Sequence, residues 1–522
     1  MIEDIPRRTE ERIVLGFQFL TALNTLLAAA SCSAAPIEVD AREALEHQTF
    51  EYIRVYGVPA EQAEPFGTRL TLTVSAEGRV STACVRSYSD EASCRSLDIG
   101  FLQDIRYRPF LRNGAAVPVT VHIDAVLYPE ERRPKRSIPF PATDLSSLHI
   151  KLSRGSCFGT CPVYDVSIDG AGNVVWQGHL YTVLNGEHRA QIPVSTMRKL
   201  VSMFAAANFY SLDDDYTASV TDSATDIITF SMGGRSKTIT DYVGLSAGMP
   251  KSVSDLEAAI DAAAGTERWV LGTPETVEIL KEEGFDFTGK RAREMLVDAV
   301  DRPAFTKALI SAGVPATPDR SGGKGQPVAN ALVGAVSSGD REAIAILIAA
   351  GAAKDLTPAE AGEMLQAAAR NVDPGLIKMV LALAPTSSFS PDAKFEALKV
   401  AIEYGFRMVS SKSRPYFDKR AAVAAMIDAG ADANRLDLNG DTVLEWVFDP
   451  ETAAQLIAAG ADPNRRNKNG KIPLLSNHND ETTLYLMQVT KPGIADPATS
   501  RALQERAVQF KFTKVLAKLR ER

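Results

Sequence analysis

Two cysteines four positions apart, Cys157 and Cys161, are the residues whose type and spacing best suit chemistry. Locally paired cysteines in an exported protein usually form a disulfide, so we predict a short disulfide that fixes the loop around them. The alternative is a reactive dithiol, because Arg154 lies close enough in sequence to lower the pKa of a thiol. The second functional hypothesis is therefore a thiol-active or metal-dependent enzyme centred on this pair.

A second pair, Cys84 and Cys94, lies ten positions apart and also predicts a disulfide. Neither pair has another Cys or His pair nearby at the spacing of a zinc site. We expect no cofactor.

Other side chains capable of chemistry are scattered. Five aspartates between positions 213 and 226 could bind a cation, but the spacing of a calcium loop is missing, which favours a solvated loop. His149, His179 and His188 could face one another around a metal, although single histidines on strands are usually ordinary packed or surface residues. The sequence has no His-x-x-x-His motif, and we expect no catalytic residue.

The N-terminus has the order of a secretory signal. Arg7, Arg8 and Arg12 precede an apolar run at residues 13–30, which ends in small residues before Cys32. We predict a signal peptide or a lipoprotein-type leader at residues 1–35, with Cys32 as the possible lipid attachment site. The mature protein would then lie in the periplasm or cell envelope of a bacterium.

The positioning elements are clearest near the C-terminus, where a six-residue phrase recurs. Residues 429–434 read Ala-Gly-Ala-Asp-Ala-Asn, and residues 459–464 read Ala-Gly-Ala-Asp-Pro-Asn. Each copy follows an apolar helical run and precedes a polar hairpin, and glycine suits the left-handed conformation that ends many helices. This pattern resembles ankyrin repeats over about residues 270–490. The resemblance implies a helical stack at residues 270–522, closed by a C-terminal capping helix, that binds a protein partner.

The predicted partner-binding residues lie beside the repeated glycines, at the hairpin tips. We expect all six of them to be exposed: Arg435, Asp437, Asn439, Arg465, Asn467 and Lys468. The net charge of the chain is -8, which argues against nucleic acid as the partner.

A small α+β domain is predicted at residues 45–129. It has two strands, a short helix at about residues 94–104 and a final strand. The Gly-Arg-Val segment at residues 78–80 and the segment at residues 106–114 resemble the C-terminal domain of the TonB energy-transducer family. The resemblance implies a small domain used for protein contact.

A second α+β domain is predicted at residues 146–265. Its Cys-Phe-Gly-Thr-Cys-Pro-Val-Tyr motif at residues 157–164 resembles a bacterial domain family of unassigned function. The expected architecture is thus multidomain α+β, with two small α+β domains before an ankyrin-like helical solenoid. The leading functional hypothesis is a non-enzymatic exported protein whose stack binds a protein partner in the cell envelope.

Overall fold

The computed structural model describes the chain from residue 36 onward, with short gaps. The described residues are 36–39, 44, 47–49, 53–58, 63–87, 90–97, 99–102, 105–112, 114–142, 144–320, 330–384, 388–403, 416–491 and 493–521. The predicted leader and Cys32 lie outside these residues. Within the described part of the chain, no helix is both long and apolar enough to cross a membrane.

The first domain is built on a six-stranded sheet and a short two-stranded ribbon. The strands are β1 (Ile37–Glu38), β2 (Ile53–Val58), β3 (Glu64–Val74), β4 (Val80–Ser87), β5 (Asp90–Leu97), β6 (Leu111–Arg112), β7 (Ala115–Ala116) and β8 (Val119–Pro129). The sheet order is β1-β8-β3-β4-β5, and β2 also pairs with β8. Alternate residues of β3, including Leu70, Leu72 and Val74, are fully buried, as expected for a strand with one face on the core.

The helix expected at residues 94–104 is wrong. Residues 90–97 form β5, which pairs antiparallel with β4, and only Ile99–Leu102 forms a single 3-10 turn. The Cys84–Cys94 disulfide joins these two strands. Pairing with a distant strand therefore overrides the local helical pattern. The resemblance to the TonB domain stays a prediction.

The middle domain has a seven-stranded sheet in the order β12-β11-β10-β9-β14-β15-β13. Its elements are β9 (His149–Arg154), β10 (Val163–Asp169), β11 (Asn173–Leu180), β12 (Gly186–Gln191), α1 (Val194–Ala206), β13 (Asp215–Thr217), β14 (Asp226–Met232), β15 (Arg235–Tyr242) and α2 (Lys251–Ala264). All pairs are antiparallel except β13 with β15. Apolar residues on alternate positions, such as Leu152, Val166 and Phe230, form the core with the buried faces of α1 and α2.

The C-terminal half is a stack of short helices. They are α3 (Glu267–Val270), α4 (Pro274–Glu282), α5 (Lys290–Asp298), α6 (Pro303–Ser311), α7 (Ala331–Ser338), α8 (Arg341–Ala349), α9 (Pro358–Arg370), α10 (Pro374–Leu383), α11 (Pro391–Glu403), α12 (Lys419–Asp428), a 3-10 turn (Val443–Glu445), α13 (Pro450–Ala458), α14 (Pro473–Ser476), α15 (Asp480–Val489), α16 (Pro497–Gln509) and α17 (Thr513–Arg520). Gly430 and Gly460 have φ of +83° and +102°, which confirms the predicted left-handed helix ends.

One continuous core joins the middle domain to the stack. The rings of Trp176 and Trp269 stack with centroids 5.4 Å apart, and both side chains are buried. The amides of Val183 and Leu184 donate to the carbonyls of Val270 and Trp269, both at 3.0 Å. The first stack helix, α3, is therefore fixed to the sheet through packing and backbone hydrogen bonds.

Polar side chains also connect successive units of the stack. The buried amide of Asn477 donates to the carbonyls of Leu444 and Val447, both at 2.8 Å. The buried amide of Asn371 makes the same kind of bond to the carbonyl of Val336, at 3.1 Å. These bonds satisfy backbone groups that would otherwise be buried without a partner.

Candidate functional site

The motif Cys157 to Cys161 forms a braced, exposed loop between β9 and β10. The two cysteines form a disulfide with their Cα atoms 5.7 Å apart. The amides of Gly155 and Phe158 donate to the carbonyls of Thr225 and Asp222, at 2.9 and 3.1 Å. The Phe158 side chain is 88% exposed. The loop is thus held to the segment before β14 at two points, and its phenyl ring projects outward.

Arg154, which would lower a thiol pKa under the alternative dithiol hypothesis, has its charge engaged elsewhere. Its guanidinium bonds Asp226 Oδ2 at 2.5 Å, Glu257 Oε2 at 3.0 Å and Asp261 Oδ2 at 2.8 Å. Burial opposes the charged form, but these three carboxylates outweigh it and raise the pKa of Arg154. A guanidinium already bonded to three carboxyl groups leaves little positive potential for a thiolate, which argues against this part of the thiol hypothesis.

The carboxylates around Arg154 form a proton-binding cluster. Burial, with added repulsion from Asp241 and Asp226, raises the pKa of Glu257 to about 8 despite the attraction of Arg154. Burial is also the main cause of the raised pKa of Asp226 and of Asp241. Glu257 is 5% exposed, and its Oε1 has no hydrogen-bond partner among the described residues. At neutral pH, Glu257 is therefore mostly protonated.

Four elements build this cluster, and sequence reasoning missed most of it. Glu257 and Asp261 lie on α2, Asp226 begins β14, Asp241 lies on β15, and Arg154 ends β9. The available signal was on α2, where Glu257 falls on a face that is otherwise apolar. A glutamate at such a position is buried and needs a charged or hydrogen-bonding partner.

The five aspartates that could have bound a cation do not converge. Asp213 lies 3.9 Å from Arg132, Asp214 pairs with Lys237, and Asp226 belongs to the Arg154 cluster. Across the described ranges, no group of three or more His, Cys, Asp or Glu side chains is arranged to hold a metal ion.

The three histidines of the middle domain make separate contacts. His179 Nε2 lies 3.0 Å from Asp165, and His188 Nδ1 lies 3.7 Å from Glu283. His149 is exposed and starts β9. The structure does not bring the three imidazoles together.

Two of the six predicted tip residues are buried, not exposed. Asp437 is 8% exposed and Asn467 is 7% exposed. By contrast, Asn439, Arg465 and Lys468 are exposed as expected. The sixth residue, Arg435, is partly buried and forms an ion pair with Asp392.

The first tip is fixed by Asp437, and this explains its burial. Its Oδ1 accepts from the amides of Asn439 and Asp441, at 2.8 and 2.9 Å. Its other oxygen pairs with Lys399 on α11 of the preceding unit. The side chain thus closes its own turn and ties that turn to the neighbouring unit.

Asn467 does the same in the second tip. Its Oδ1 accepts from the amides of Asn469 and Lys471, both at 3.0 Å, and its amide donates to Glu445 Oε2 at 3.0 Å. The two tips also touch each other, because the amide of Lys468 donates to the carbonyl of Gly440 at 2.8 Å. The two hairpins are consequently tied to each other and to the neighbouring units.

Comparisons with known proteins cover parts of the chain. A family model described as a domain of unknown function (DUF6438) matches residues 148–264. No curated protein matches. One similar solved structure is the ankyrin repeat domain of Bcl-3, described as a unique member of the IkappaB protein family, with 17% identity and a TM-score of 0.27. It covers 41% of this chain and 91% of that one. Another is the human ASB11 ankyrin repeat domain, with 18% identity and a TM-score of 0.30, covering 42% of this chain and 94% of that one. Ankyrin repeat domains are thus among the structural neighbours of this chain.

Proposed function

We propose that this protein is a non-catalytic binding protein whose helical stack holds a protein partner in the cell envelope. One observation supports the binding role above all. Buried Asp437 and Asn467 fix the two hairpin backbones, while the neighbouring side chains Leu438, Asn439 and Lys468 point to solvent. A surface that is ordered before it binds loses little conformational entropy on association.

Export is part of the same proposal. The disulfides Cys84–Cys94 and Cys157–Cys161 support it, because disulfides persist mainly in oxidising compartments. The leader at residues 1–35 and lipid attachment at Cys32 remain predictions. Mass spectrometry of the protein purified from its native membrane fraction tests them, since an intact Met1 would exclude cleavage of the leader.

The binding role is tested by site-specific photocrosslinking in the full chain. A photoreactive residue at Asn439 or Asn469, both exposed on the tips, should yield a discrete adduct with a protein from the native cell extract. The same residue at exposed Lys378 on α10 is the matched control and should yield none. Equal labelling at all three positions, or no adduct at any of them, contradicts the proposal.

A further inference from the structure

The exposed face of the two hairpins has an unusual apolar centre. Leu438 is 97% exposed, although the turn around it is fixed by Asp437 and by the contact between Gly440 and Lys468. Water contacts nearly the whole leucine side chain, so covering it on association is favourable. Full burial of one leucine is worth about tenfold or more in affinity.

A cluster of cations lies on the second hairpin, which contacts the hairpin of Leu438 through Lys468 and Gly440. We call Leu438 together with Arg465, Arg466, Lys468 and Lys471 the tip surface. All four cations are exposed, and no described residue forms an ion pair with any of them. The Arg466 guanidinium donates to the carbonyl of Gly470 at 2.6 Å. The segment 465–471 contains no acidic residue, in a chain whose net charge is -8. The charge of this segment is thus opposite in sign to the net charge of the whole chain.

The tip surface suits acidic side chains better than other polyanions. Single-stranded nucleic acids are usually bound with the help of aromatic side chains that stack on bases, and the tip surface has none. Stable attachment to a membrane surface needs a larger apolar face than one leucine. Carboxylates on a protein segment match spaced lysines and arginines, and an aliphatic or aromatic residue of that segment can pack on Leu438.

We propose that the partner presents an acidic protein segment with a central apolar residue, which packs on Leu438 while its carboxylates contact the four cations. This inference rests on the proposed function of the stack and specifies the chemistry of its partner. Because the hairpins are already ordered, specificity resides in these exposed side chains and not in a rearrangement of the turns.

The test uses the full chain and labelled synthetic peptides as probes. One peptide has a Leu-Phe centre flanked by Asp and Glu, a second has the same acids around Ser, and a third has the same centre flanked by Lys. We expect the first to bind most tightly, and its affinity to fall clearly between about 50 mM and about 300 mM salt, because the charges are exposed. Phosphatidylglycerol vesicles and single-stranded DNA are measured in parallel.

Two variants test the two parts of the tip surface. The charge-reversed triple variant R465E/R466E/K468E should weaken binding of the acidic peptides by about tenfold or more. Leu438→Ser should weaken binding of the acidic peptide with the Leu-Phe centre by about tenfold and leave binding of the acidic peptide with Ser unchanged.

Each variant has a matched control. The variant K307E/K378E/R501E makes the same change in net charge at exposed helix positions elsewhere in the stack. Val508→Ser removes another exposed apolar side chain, which is 63% exposed. Both controls should bind like wild type, and circular dichroism checks that all variants fold.

The outcomes separate the partner chemistry from the binding role. Peptide binding that ignores salt, or that survives R465E/R466E/K468E, overturns the acidic partner. If photocrosslinking at Asn439 still yields a protein adduct, the stack remains a binding protein with a different partner chemistry. Tip-dependent binding of vesicles or DNA without peptide binding also overturns this inference. Loss of both peptide binding and photocrosslinking removes the proposed function as well.

Discussion

Replacing Glu257 by glutamine is expected to remove much of the pH dependence of middle-domain stability. The folded-state pKa of Glu257 is raised to about 8, first by burial, from an ordinary value of 4.5. A group whose pKa is raised on folding stabilises the folded state fully below its unfolded pKa, and this contribution is lost as pH rises through the folded pKa. The wild-type free energy of unfolding should therefore decrease from about pH 4.5 to about pH 8.

The size of the effect follows from the difference between these two pKa values. At about 1.4 kcal/mol per pH unit, the ionisation of Glu257 corresponds to about 5 kcal/mol across the whole range. Glutamine keeps an oxygen that can accept from Arg154 but does not ionise. The difference in free energy between wild type and Glu257→Gln should thus change by about 1.4 kcal/mol per pH unit between about pH 5 and about pH 8.

Tryptophan fluorescence can follow the junction of the middle domain and the stack. The chain has three tryptophans, and two of them, Trp176 and Trp269, stack at the junction of the sheet and the stack. In a Trp446→Phe background, urea titrations at several pH values report on this junction. Local detection is needed because a chain with several domains does not unfold in a single two-state step.

A difference between wild type and Glu257→Gln that stays constant from about pH 5 to about pH 9 would refute the assigned pKa and the burial argument behind it. The matched control is Glu282→Gln at an exposed position on α4, which should shift stability by less than about 0.5 kcal/mol at every pH.

Three further predictions concern the structural framework. Replacing Cys157 and Cys161 by serine should lower the free energy of unfolding by about 2 kcal/mol in denaturant titrations. In the native protein the pair should react with a thiol reagent only after reduction, and labelling without a reductant would contradict the disulfide. Asn477→Ala leaves buried carbonyls without a donor and should destabilise the stack by about 2 kcal/mol or more, measured by Trp446 fluorescence; a change below about 0.5 kcal/mol contradicts it. Gly78→Ala should unfold the first domain at a lower denaturant concentration than Gly114→Ala, because a Cβ at residue 78 would lie 2.0 Å from the Tyr107 carbonyl and one at residue 114 meets nothing within 4 Å. Equal midpoints would contradict the last prediction.

The sequence predicted the elements whose signals are local. A glycine at a fixed distance from a helical run marks a helix end whatever the rest of the chain does, and Gly430 and Gly460 occupy that position. Strand β5 was missed because its pairing with β4 is set by contact across the sheet and not by the residues of 90–97 themselves. Local patterns therefore specified the stack better than the first sheet.

The same distinction explains the candidate site residues. Asx side chains often bond the amides of their own turn, so a turn role for Asp437 and Asn467 was available from sequence. Their burial was not, because it depends on Lys399 and Glu445 from neighbouring units. The Arg154 cluster was still harder to predict, since Arg154 and Glu257 are 103 positions apart.

The way in which the stack ends explains why the hairpin tips are its available surface. A solenoid must cover the apolar faces of its terminal units, or those faces remain open to water. Here the middle domain covers the first unit, because Trp176 packs on Trp269 of α3. The last unit is covered by α16 and α17, whose residues Leu503 and Val515 are fully buried. Removing the middle domain would expose Trp269 and leave the backbone carbonyls of Trp269 and Val270 without their donors. Binding studies on an isolated stack would therefore measure association through that exposed end, whereas the full chain offers the tips.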